Sequence, residues 1–137
     1  MSDMSHDAPP TRRWSVEGFT YFWSQARDPA MVAAVVLPDV RGTWPRASVP
    51  VVGRAAYIGA IASFLAALPD FSVEVTDHAT SGDVAFVRWV LRGAFPVGPD
   101  TIVGVDRLVL KDGFVAENHI HSDHPLFAEL ARTRALG

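Results

Sequence analysis

The 137-residue chain reads as an α+β protein in which about three N-terminal helices close a strongly curved antiparallel sheet around a small apolar pocket. Three observations predict this. Apolar residues recur at helical spacing as far as Leu68, and the period changes to two from Phe71 onward. Helices first and strands afterwards is the order of an α+β fold with segregated layers. The strands are also apolar on both parities, so both faces of the sheet need cover.

Residues 1–13 read as a flexible N-terminal tail, and 14–137 as one domain. Ser15 is placed to cap a helix running to about Ala26, with Phe19, Phe22 and Trp23 in one stripe. Asp28-Pro29 restarts the chain as a short helix, with the acid as cap and the proline at its first position. Met31, Val32, Val35 and Val36 supply its buried side, and Pro38 is read as its stop. Residues 39–50, with Trp44, Gly42 and two prolines, read as a short strand and a loop. Gly53 precedes the strongest helix, about Arg54 to Ala67, in which Ile58, Ile61, Phe64, Leu65 and Leu68 repeat at helical spacing.

Phe71 to Ala79 alternates as a first long strand. Ser81-Gly82-Asp83 marks a turn. Val84 to Ala94 and Thr101 to Lys111 follow as strands. Asp112-Gly113 is a two-residue hairpin signal, leading into a strand from Phe114 to His121. Pro125 to Arg134 reads as a short closing helix.

Composition excludes several classes. The chain has no cysteine, so disulfides, thiolate nucleophiles and cysteine–zinc sites are out. Net charge is −3 and Lys111 is the only lysine, so no basic field invites nucleic acid. No apolar run reaches the length of a membrane span, and the first ten residues lack the apolar core of a signal peptide. A cytoplasmic protein without membrane or nucleic-acid partners is the default expectation. No glycine-rich phosphate loop or nucleophile elbow is present.

Four stretches carry a family resemblance. They are the aromatic helix through 22–28, Gly53 with the helix ending in 64–71, the strand of 81–89, and 106–123 with its hairpin. In order and spacing they resemble the SnoaL-like branch of the NTF2-like superfamily. The resemblance implies a cone: a bent sheet with helices packed into its mouth, enclosing a pocket. Members include ketosteroid isomerases, polyketide cyclases, dehydratases and pure binding proteins, so the fold alone does not name a reaction. The resemblance also implies that Asp106 matches the protonated third-strand acid of ketosteroid isomerases. The position of their general base falls at Trp44, and Tyr21 lies out of register with their helical tyrosine. Only the third-strand acid is shared.

The hairpin suggests a site. If Asp112-Gly113 is the turn and the ladder is regular, Asp106 faces His119 and Gly104 faces His121, with Glu117 on the same side. A single bulge would break this register. An acid beside an imidazole fixes its tautomer and lets it move a proton near neutral pH. The plain alternative is a structural ion pair at the sheet rim. Glu117, His119, His121, Asp123 and His124 also resemble a metal-ligand cluster, but their spacing matches no known zinc site, and a polar strand end is the simpler reading.

The sequence therefore supports two hypotheses. One is a cofactor-free isomerase, cyclase or dehydratase acting on a small carbonyl compound, with Asp106 and His119 as the acid–base pair. Trp44, Trp89, Phe22, Trp23, His121 and His78 would then contact the substrate, with no metal. The other is a non-catalytic module that binds a small apolar ligand. His78 lines the pocket mouth or is simply exposed, and Arg88 meets a pocket acid or covers apolar surface on the outer face. Apolar outer strands point to a homodimer through the outer sheet face.

Overall fold

The computed structural model describes residues 8–133. The caps read from the sequence fall where their chemistry puts them. The Ser15 side chain accepts from the Gly18 N–H and starts α1 (Val16–Tyr21). The helix continues as one π-helical turn, Phe22–Ala26, and Arg27 ends it in the left-handed conformation. The Asp28 carboxylate accepts from Ala30 N–H and opens a 3-10 helix, Pro29–Ala34.

The chain then enters β1 (Val36–Thr43) sooner than expected. Pro38 lies inside this strand instead of stopping a helix. The parallel pairing of β1 slips between Val36 and Arg41, and that irregularity removes the ladder position where a missing N–H would matter. β2 (Val51–Val52) leads through Gly53 into α2 (Arg54–Ala67). Arg54, Tyr57, Ala60, Ile61 and Phe64 are its buried residues, so the inner face is rotated from the one expected, with Ile58 and Leu65 at its margins.

β3 (Phe71–Ser81), β4 (Val84–Gly93), β5 (Thr101–Lys111) and β6 (Phe114–His121) follow as an antiparallel meander, and α3 (Pro125–Arg132) closes the chain. The six-stranded sheet runs β2-β1-β6-β5-β4-β3, and only β1 and β6 are parallel. Asp112 and Gly113 both have positive φ, at 56° and 89°, the signature of a type I′ turn.

The concave face carries Ala85, Val87, Trp89 and Leu91 from β4, and Ile102, Asp106 and Leu108 from β5, all buried. The helices pack onto it around Phe64. Its ring lies 6.0 Å from Trp23, 5.4 Å from Trp44 and 6.1 Å from Phe127. Thus α3 contributes to the core as well as the N-terminal helices. Its N-cap is His124, whose Nδ1 accepts from Leu126 N–H and whose Nε2 lies 2.8 Å from the Pro99 carbonyl. His124 therefore ties the β4–β5 loop to the C-terminal helix, and it is spent on that role.

The expected tail falls partly outside the described residues. Of the rest, 11–14 are tied to the body through the backbone. Thr11 and Arg12 N–H both donate to the Ala34 carbonyl, and Trp14 N–H donates to Gly113. No helix among the described residues is long and apolar enough to cross a membrane.

Candidate functional site

The β5–β6 ladder does not stay regular. Lys111 pairs with Phe114 and Leu110 with Val115, but Val109 then pairs with Glu117, leaving Ala116 as an extra residue. This bulge shifts everything after it by one position and turns each later side chain to the other face. The expected pairing of Asp106 with His119 is corrected. Asp106 pairs with Ile120, His119 with Arg107, and His121 with Val105.

His119 therefore stands on the outer face, where its Nε2 lies 2.9 Å from Glu117 Oε1 in a half-exposed hydrogen bond. His121 is exposed at the strand end. His78 lies exposed on β3, in a shallow surface groove beside Glu17 and Thr20. None of the three lines the interior cavity. No group of three or more metal-ligating side chains comes together among the described residues.

In place of His119 the bulge delivers Asn118 to the inside. Asn118 Nδ2 donates to the Tyr57 hydroxyl at 2.8 Å. Asn118 also lies beside Asp106 and lowers its pKa. Trp89 Nε1–H donates to Asp106 Oδ1 at 2.8 Å. The result is a buried chain, Tyr57–Asn118–Asp106–Trp89, running from α2 across the concave face. Two glycines seat its rings. The Trp89 indole lies across Gly104, where an added Cβ would fall 2.2 Å from Cζ2, and the Tyr57 ring lies against Gly42 in the same way, at 2.6 Å.

Burial sets the electrostatics of this chain. Removal from water pushes Asp106 from 3.8 up to about 6, although the Trp89 hydrogen bond and the neighbouring Asn118 pull it back. Burial likewise pushes the Tyr57 phenol well above its ordinary range; the Asn118 hydrogen bond opposes the rise and the charge of Asp106 adds to it. Tyr57 is thus a neutral hydroxyl at any physiological pH, and Asp106 changes charge near the acid edge of that range.

Tyr57 and Asn118 line a cavity of about 120 Å³ between the helices and the sheet. Its other walls are mainly apolar, among them Phe19, Phe22, Trp23, Val32, Val36, Trp44, Ile61 and Leu108. Phe22, Trp23 and Trp44, expected as substrate contacts, stand in that wall. Trp89 lines an adjoining apolar cavity of about 30 Å³, which also touches Trp23, Trp44 and Ile120. Asp106 is 4% exposed and lines neither cavity; Asn118 stands between it and the larger one. No Asp, Glu or His lines the larger cavity among the described residues.

Tyr57 and Asn118 were missed by the sequence reading. Tyr57 sits at helical spacing with Arg54, Ile61 and Phe64, so counting its ring as apolar would have found the inner face of α2. Asn118 required the bulge.

Solved structures match this architecture. A protein with a cystatin-like fold from Xanthomonas campestris shares 19% identity over 82% of this chain and 91% of its own, with a TM-score of 0.69. A candidate SnoaL-like polyketide cyclase from Jannaschia shares 23% identity over 88% and 90%, with a TM-score of 0.67. A protein from Catenulispora acidiphila with a ketosteroid isomerase-like fold, solved with trimethylamine, shares 16% identity over 82% and 87%, also at 0.67. At these identities the likeness concerns the fold. No match is found among curated proteins. The family model for the SnoaL-like domain matches residues 12–118, which take in α1, the Tyr57 helix and the sheet as far as Asn118, and the chain belongs to that family.

Proposed function

We propose that the chain binds a small, largely apolar carbonyl compound in the cone and acts on it as a cofactor-free isomerase, cyclase or dehydratase by polarising the carbonyl. The observation that carries this reading is the Tyr57 hydroxyl, which accepts from Asn118 at 2.8 Å in the cavity wall. Having accepted that bond, it keeps its own proton to donate. A carbonyl oxygen entering the apolar cavity meets this donor in a dry setting, where a hydrogen bond to developing charge is worth far more than in water. As the oxygen gains charge at the dry end, the proton on the neighbouring carbon, on the side of the open mouth, passes to water there. Water returns a proton to the same or another carbon. Asp106, behind Asn118, tunes the donor: its negative charge raises the Tyr57 pKa, so its neutral form leaves Tyr57 the stronger acid.

The mainly apolar wall, which among the described residues holds no carboxylate or imidazole, is also what a second reading needs: a module that binds the ligand without turning it over. One measurement separates the two. In D2O, the wild-type protein should exchange the α-hydrogens of 2-nonanone for deuterium faster than buffer does, followed by NMR. Tyr57→Phe should slow that exchange by roughly tenfold to a hundredfold while the fold is unchanged by circular dichroism. Binding of the ketone with no exchange above buffer would leave the binding module, and unchanged exchange in Tyr57→Phe would remove Tyr57 from the chemistry.

We propose, too, that a second copy covers the outer sheet face. Phe86 and Val103 are 40% and 42% exposed there, an unusual position for large apolar side chains on a sheet. Phe86→Glu with Val103→Glu should convert a dimer to a monomer in sedimentation velocity; a wild-type monomer would refute the assignment.

A further inference from the structure

The cavity has a second polar end, at its mouth. Arg12 and Arg13 line it there together with Trp14, Tyr21 and Met31. Both arginines are exposed, but the backbone that carries them is held. The two hydrogen bonds to the Ala34 carbonyl anchor one side, and Trp14 N–H to Gly113 anchors the other. Their position at the rim is therefore set by the fold.

Among the described residues, neither guanidinium has a carboxylate partner. The acid–base pairs there involve Arg92, His119 and Arg132 instead. Arg13 Nε donates to the Asp112 backbone carbonyl at 3.4 Å, and no hydrogen bond from another described residue engages its terminal nitrogens. Arg13 also packs over Gly113, where an added Cβ would fall 2.7 Å from its Cδ, so the stem is steered by the hairpin turn. In a chain of net charge −3, two adjacent arginines at the rim of an apolar cavity make a local positive field with no acidic partner among the described residues.

We propose that the ligand is an amphipathic carboxylate, its apolar body in the cone and its carboxylate held at the mouth by Arg12 and Arg13. This rests on the reading that the cavity is the ligand site, and it names the class of compound that site takes. Guanidinium groups match a carboxylate through paired N–H donors, and the low-dielectric walls behind them strengthen the attraction. The carboxylate stays near water while the chain buries apolar surface between Phe22, Val32 and Leu108. A carbonyl further along the same molecule would reach Tyr57, so the two polar ends of the cavity fix the ligand's direction.

The test uses octanoate and methyl octanoate, followed by the fluorescence of the tryptophans in the cavity wall. The wild-type protein should bind octanoate at least tenfold more tightly than its neutral ester, and 0.5 M salt should shrink that ratio. Arg12→Gln with Arg13→Gln should bring the ratio to about one and leave the ester's affinity unchanged. Equal affinities in the wild-type protein, or a preference that survives loss of both arginines, would overturn the assignment while leaving the cavity as a ligand site. If neither compound binds the wild-type protein, the cavity reading fails together with it.

Discussion

Gly104→Ala is expected to destabilise the fold by roughly 2–4 kcal/mol, the sum of overpacking and a broken buried hydrogen bond. The new methyl carbon would fall 2.2 Å from Trp89 Cζ2 and 2.8 Å from the His121 carbonyl oxygen. The carbonyl belongs to the neighbouring backbone and cannot retreat, so the indole must turn. Turning it withdraws Nε1–H from Asp106 and leaves a donor and an acceptor unmatched in the core. Urea melts measure the loss, and the Trp89 indole N–H resonance should leave its hydrogen-bonded position. Gly59→Ala is the contrast. Nothing lies within 4 Å of a Cβ added there, on an exposed part of α2. Alanine should raise stability at that site by about 1 kcal/mol through helix propensity. Equal effects at the two glycines would show that the ring does not lie across Gly104.

The same hairpin shows why the fold was legible and the site was not. The change of period at Phe71, the caps Ser15 and Asp28, and the turn at Asp112-Gly113 are local signals, and each acts through residues next to it in sequence. The bulge at Ala116 is not local. It is settled by which side chains the core accepts once β1 packs alongside β6. A trace of it was present, because Val115 and Ile120 are both buried although five positions apart. A regular strand places such a pair on opposite faces, and one extra residue between them brings both to the same face. With the bulge, Asn118 joins Ile120 inside, and His119 turns outward to Glu117. Pro38 misled for a related reason. It ends helices, but the slipped pairing of β1 accommodates it in a strand. Trp44, Phe22 and Trp23 needed no register, since bulky aromatics on elements that face the sheet end up in the cavity wall in any case.

Asp106→Asn is expected to stabilise the protein at neutral pH and leave it close to wild type near pH 4. The carboxyl is raised from 3.8 to about 6 by burial. The folded state therefore holds its proton where the unfolded chain has lost it, and stability falls as pH rises through that interval. A shift of this size corresponds to about 3 kcal/mol lost between pH 4 and pH 7. Asparagine keeps an oxygen for Trp89 Nε1–H and carries no charge to desolvate, so the difference between variant and wild type should grow over the same window. Subtracting the two stability curves removes the other carboxylates. A buried acid that weakens its own fold at neutral pH calls for a role beyond packing, and exchange of 2-nonanone supplies the second readout. Wild-type exchange should fall above about pH 6, as the Asp106 charge makes Tyr57 a poorer donor, whereas Asp106→Asn should show no such limb. A variant less stable than wild type at pH 7 would mean that Trp89 and Asn118 hold a structural anion. The raised acid would then give no reason to place chemistry behind Asn118.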